Sequence, residues 1–135
     1  MRIDLDAVGV ARDSWSITAN GTFTEGIHLI SGDTGSGKTT LAQIIAGLSV
    51  PTSGSVRREG VIHPMISFQF PELHVTGSTV SEECASWGLN PGVVLEQVSL
   101  DGKSALSPLQ LSRGELKRLH LACVLSQEYD LLVLD

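Results

Sequence analysis

Eight consecutive residues, Gly32-Asp33-Thr34-Gly35-Ser36-Gly37-Lys38-Thr39, fit the spacing G-x-x-x-x-G-K-[ST]. Glycines let successive backbone N–H groups turn toward one anion, a wrap that side chains would obstruct. A helix opening straight after them adds its positive dipole end. The chemistry suited to this combination is capture of a triphosphate. Lys38 would reach the β and γ phosphates, and the Thr39 hydroxyl would be a ligand of Mg2+, with Thr40 at the loop's exit. Far downstream, Leu131-Leu132-Val133-Leu134-Asp135 delivers a carboxylate at the end of an apolar run. Strand ends of that kind are where open α/β sheets bind ligands, so Asp135 would hold the magnesium side through water. A core strand ending in a turn residue has the same pattern; the glycine loop upstream is what points to the metal.

A loop of this kind needs a strand before it and a helix after it. The apolar run 27–30 predicts the strand. The helix starts at Lys38 with Leu41, Ile44, Ile45 and Leu48 on one stripe, and Gly47 and the cluster 51–54 mark its end. Residues 2–10, with Ile3, Leu5 and Ala7 alternating against polar neighbours, and residues 14–23 predict antiparallel strands with one wet face. Segments 55–58 and 65–68 predict two more strands around a turn near Gly60, which leaves Gln69 at a strand end. Short helices are expected over 81–87 and 93–98, parted by Asn90, Pro91 and Gly92. A stronger helix is expected over 113–125, with Leu116, Leu119 and Val124 on its apolar stripe and Ser112 with Glu115 as a capping box. The run 131–134 predicts a fully buried parallel strand.

The chain has 135 residues, 9 basic against 15 acidic, for a net charge of −6. That size fits one core, and the charge disfavours phosphodiester backbones and anionic lipid surfaces, so a phosphate site must be local. No apolar run approaches the roughly 20 residues that cross a bilayer, and the start carries two aspartates where a basic leader would stand, which reads as cytoplasmic. Cys84 and Cys123 show no metal-binding spacing and read as reduced thiols. Lys117 and Arg118 read as solvated ends on a helix face, and His74 as a loop histidine without a catalytic role.

Leu111-Ser112-Arg113-Gly114-Glu115 stands shortly before the 131–135 segment. In this order of parts the chain resembles ABC-type ATPases, whose LSGGQ signature occupies that place. The resemblance implies an α/β fold with a P-loop NTPase core: a mixed sheet with flanking helices and an N-terminal antiparallel β part. A short helical subdomain specific to ABC proteins would lie over about 72–115, within a single domain spanning 1–135. It also implies that Ser112 and Gly114 meet the γ-phosphate held by a second ATPase subunit, in a nucleotide-sandwich homo- or heterodimer. By the same likeness Gln69 is the Q-loop glutamine, touching Mg2+ and the attacking water, and Trp15 is the aromatic that stacks on adenine. Lys38, Gln69 and Asp135 would then serve catalysis, with ATP and Mg2+ as cofactors.

Phe68-Gln69-Phe70-Pro71-Glu72, Thr79-Val80 and Ser107-Pro108 look more narrowly like the ATPase subunits of energy-coupling factor transporters, importers of vitamins and transition-metal ions. A transmembrane transporter subunit would be the partner, holding the protein peripherally at the inner face of the membrane. The sequence departs from the pattern at Arg113, in place of a glycine, at Glu115, in place of glutamine, and at His74, where such subunits often carry a second glutamine. In the family a catalytic glutamate directly follows the aspartate matched by Asp135. The chain therefore reads as cut short there, binding nucleotide better than it hydrolyses it. Two other readings stay open: a non-transport ABC ATPase acting on nucleic acid or ribosomes, which the acidity opposes, and a nucleotide-binding fragment without turnover.

Overall fold

A bulge decides which residues of the first strand face inward. The computed structural model describes residues 1–12 and 15–135. Strand β1 (Arg2–Arg12) pairs antiparallel with β2 (Trp15–Thr24) on one side and β3 (Ser53–Glu59) on the other, in the order β2-β1-β3. Ser14, the expected first residue of the second strand, lies outside the described residues. The register of β1 shifts between Leu5 and Val8, so Ala7 is exposed, with φ 45°, while Ile3, Leu5, Val8 and Val10 are all buried. Strict alternation would have put Ala7 inside; the extra residue of the bulge resets the parity. The side chain of Asn20 accepts the Ala7 amide at 2.7 Å, so the bulged backbone keeps a partner.

Helix α1 (Lys38–Ala46) lays Ile44, Ile45 and half-buried Leu41 on the same core as Ile3, Leu5, Val8 and Val10. Gly47 takes the left-handed conformation and returns its N–H to the carbonyls of Gln43 and Ile44, which ends the helix. That turn carries Leu48 off the expected stripe, and it is 60% exposed. From β3, Arg58 donates to the carbonyls of Ile44 and Ile45, placing a cation at the negative end of the helix.

Residues 27–30 form no strand, contrary to expectation. Among the described residues no ladder runs beside them, and an extended run becomes a strand only by pairing. Ile27 and Leu29 are fully open to solvent, while Ile30 packs against the core. The remaining strands, β4 (Pro64–Ser67) and β5 (Leu131–Leu134), pair with each other in a separate two-stranded sheet. With one strand beside it, β5 is half-buried and its Leu134 is 57% exposed, rather than sealed on both faces. Asp130 accepts the amides of His63 and Ile62 at 2.9 and 2.8 Å, which pins the entry of β5; those two amides also hold its carboxyl below the ordinary carboxylate range.

The chain forms two compact units, one of residues 1–66 with 129–135 and one of 67–128. The second contains α2 (Val80–Ser86), α3 (Pro91–Gln97) and α4 (Arg113–Leu125), with 3-10 turns at Pro71–His74 and Pro108–Gln110. Its core gathers Val80, Cys84, Leu95, Leu100, Leu119 and Cys123. Both cysteines are buried free thiols. The helices start on side-chain acceptors, with reciprocal boxes at Thr79/Glu82 and Ser112/Glu115 and Asn90 capping α3. No helix among the described residues is long and apolar enough to cross a membrane.

Candidate functional site

Gly37, at φ 95° and ψ 14°, is the N-cap of α1 and has no side chain with which to accept from the first turn. The opening amides of α1 are therefore without a side-chain acceptor, at the positive end of the helix. Lys38 turns back over the loop, its Nζ donating to the carbonyls of Gly32 at 2.9 Å and Asp33 at 2.8 Å. An ammonium has three protons, so one donor remains once the loop is closed. The Ser36 amide donates to the Asp33 carbonyl at 3.1 Å and tightens the same turn. Thr34 and Gly35 lie at the exposed crest between these contacts.

The Thr39 hydroxyl donates to Asp135 Oδ1 at 2.9 Å across 96 positions of sequence. Packing of α1 on β5 brings the two together. A hydroxyl and a carboxylate side by side are hard oxygen donors, and a neighbouring phosphate would add more, so this pair fits Mg2+. Trp15, at the start of β2, donates from Nε1 to the Gly35 carbonyl at 3.1 Å. With Gly35, Gly37, Lys38, Thr39 and Thr40 it lines a cleft of about 370 Å3. The structure thus gathers Trp15, the loop 32–39, Thr40 and Asp135 in one unit.

Gln69, Ser112 and Gly114 belong to the other unit. Gln69 stands exposed just past the end of β4, and Ser112 and Gly114 are exposed at the start of α4. Ser112 Oγ accepts the Glu115 amide at 3.3 Å, and Glu115 Oε2 accepts the Ser112 amide at 3.1 Å. The other carboxylate oxygen of Glu115 takes Lys103 at 2.6 Å; that lysine first, and the Ser112 amide second, lower its pKa. A glutamate here is thereby accounted for: it is the acid of the cap and also answers a cation.

Lys117, expected as a solvated helix end, and His74, expected as a plain loop histidine, are both held by the strand end. Lys117 donates to the Phe68 carbonyl at 3.0 Å, and His74 is half-buried with its ring stacked on Phe68. The expectation failed because both partners come from the strand end at 67–68, 49 residues from Lys117. The available sign was spacing: Lys117 and His120, three apart, share one face of α4. Among the described residues no group of three or more His, Cys, Asp or Glu is placed to hold a metal.

The profile of the ABC transporter family matches residues 19–135. The energy-coupling factor transporter ATP-binding protein EcfA2 of Bacillus cereus is 32% identical over 82% of this chain and 47% of its own length. EcfA2 of Streptococcus sanguinis is also similar, over 77% of this chain and 47% of that protein. The chain spans about half the length of these curated relatives. Among solved structures, cbiO1 from Clostridium perfringens, part of the ABC transporter complex cbiONQ, superposes with a TM-score of 0.60 at 20% identity. That likeness covers 98% of this chain and 64% of the other, and it concerns the fold.

Proposed function

Since this chain belongs to the ABC transporter family, we propose that it captures ATP with Mg2+ at Trp15, the loop 32–39 and Asp135, as the nucleotide-binding part of a transport ATPase. The observation that carries the reading is the 2.9 Å contact between Thr39 and Asp135, two hard-oxygen donors beside the glycine loop and at the start of α1. The loop amides and Lys38 bind the phosphates, and the remaining proton of the ammonium meets the β/γ oxygens. The Trp15 ring, fixed by its bond to Gly35, offers a flat face for the base. Magnesium supplies neutralisation of the phosphate charge when bound, and Thr39 and Asp135 are the residues that would hold it.

In the complete protein, ATP closes a dimer in which Ser112 and Gly114 of one subunit meet the nucleotide of the other, and hydrolysis reopens it. Gln69 positions the attacking water. The names of the similar EcfA2 proteins support coupling to an energy-coupling factor transporter; on the motif likeness around Gln69 the reading extends to a membrane partner of the importer type, with vitamins or metal ions as cargo and the ATPase held at the inner face of the membrane.

Calorimetric titration with MgATP tests the site. The folded protein binds, and Lys38→Ala weakens binding by about 10- to 100-fold, the worth of a charge-assisted hydrogen bond. A folded sample without affinity for MgATP, or an unaltered Lys38→Ala, would overturn the assignment.

A further inference from the structure

The residue before Gln69 is held at both of its backbone polar groups. The Phe68 N–H donates to Nε2 of His74 at 3.1 Å, and the Phe68 carbonyl accepts from Nζ of Lys117 at 3.0 Å. That carbonyl belongs to the peptide that enters Gln69. One residue earlier, fully buried Ser67 has its hydroxyl 3.1 Å from Nε2 of His120 and 3.4 Å from Nζ of Lys117. The His74 ring is stacked between Phe68 and His120, with centroids 5.0 and 4.3 Å away and planes within 26° and 23°. The grip therefore comes from two elements, the 3-10 turn Pro71–His74 and helix α4.

An amide N–H can be accepted only by an unprotonated ring nitrogen, so His74 carries its proton on Nδ1. We propose that His74 is a positioning residue for Gln69: its Nε2 acceptor, together with Lys117, fixes the peptide planes on either side of Phe68 and so aims the glutamine side chain. This rests on the reading of Gln69 given above.

Protonation would turn Nε2 into a donor facing a donor and place a cation against a second imidazole. The charged and titratable groups around it are Lys117 and His120 of α4, Glu83 of α2, and Glu72 of its own turn, which lies 4.0 Å from Arg113. Burial first, and Lys117 second, push the His74 pKa down, while Glu83 opposes them. The grip is accordingly closed at neutral pH and released in acid.

The test is steady-state ATP hydrolysis by the full-length protein from about pH 4.5 to 8, a range that reaches well below an ordinary imidazole, for wild type, His74→Gln and His74→Phe. Gln keeps an acceptor near the place of Nε2 but does not titrate; Phe keeps the stacked ring and loses the acceptor. His74→Phe lowers kcat about tenfold with KM for ATP unchanged, the cost of a misaimed group. His74→Gln restores kcat near neutrality and flattens the acid limb. The 15N shifts of the wild-type ring report a neutral Nδ1–H tautomer. A turnover in His74→Phe equal to wild type, an acid limb retained in His74→Gln, or an Nε2–H tautomer overturns the proposal while the reading of Gln69 stands. Wild-type protein that binds ATP without hydrolysing it, or a Gln69→Ala variant as fast as wild type, removes that reading and this one with it.

Discussion

A methyl group added at Gly37 would lie 2.6 Å from the Trp15 ring and 2.8 Å from the Ile17 side chain, on a backbone whose φ of 95° already disfavours it. Gly37→Ala should therefore cost about 1–3 kcal/mol of stability and also displace the tryptophan from the loop. Thermal unfolding and MgATP titration of that variant check both effects; an alanine protein with unchanged melting and affinity would refute the close packing described. The placement of the loop, Lys38 and Thr39 at the start of α1 was readable directly because the motif that suggests phosphate capture is one short run ending in a helix. The contact of Trp15 was less so, since it depends on the pairing of a hairpin and reaches across 20 positions. The grip on residues 67–68 was legible only as the three-residue spacing of Lys117 and His120, for Lys117 reaches back about 50 positions, while His74, six positions from Phe68, sits in a turn that no local signal assigned to it.

At the scale of elements, α2 is tied down by a buried acid. Glu83 is 4% exposed and its Oε2 accepts the amides of Thr76 and Gly77 at 2.8 and 2.7 Å, while Oε1 accepts Nε1 of Trp87 at 3.0 Å. Burial alone would raise its pKa, but the Gly77 and Thr76 amides, with Trp87, outweigh it and the carboxyl stays below its ordinary value. Gly77 is needed for this approach, as a Cβ there would stand 2.3 Å from the Glu83 nitrogen. Glu83→Gln, which sets an NH2 among donors, should destabilise the protein by about 2 kcal/mol, read as a lower urea midpoint. No change in midpoint would mean that these hydrogen bonds contribute nothing net. Elements with local signals were legible: Ser112 and Glu115 marked the start of α4, and Gly47 the end of α1. Those requiring a neighbour were not, as residues 27–30 and the shifted parity at Ala7 show.

For the molecule as a whole, buried His120 sets the acid limit before the carboxylates do. Burial, then His74 and Lys117, push His120 from 6.5 to about 4. Between those values the unfolded chain takes up a proton that the folded chain refuses, so stability falls as pH drops through that window, by an amount on the order of 3 kcal/mol. Glu83 and Asp130, whose values are depressed, keep their contribution until the pH falls below the ordinary carboxylate range. Urea unfolding at pH 7 and pH 5 should show about half of that loss in wild type and a smaller one in His120→Gln; equal losses would remove the histidine from the account. The first unit has a further property, being assembled from residues 1–66 and 129–135 around an intervening stretch. During translation at about 5–20 residues per second, Asp135 is added roughly 5 to 20 s after Thr39. For that interval the nascent chain carries the glycine loop and Thr39 without the carboxylate that accepts its hydroxyl, and residues 67–128 are synthesised before the pair can form.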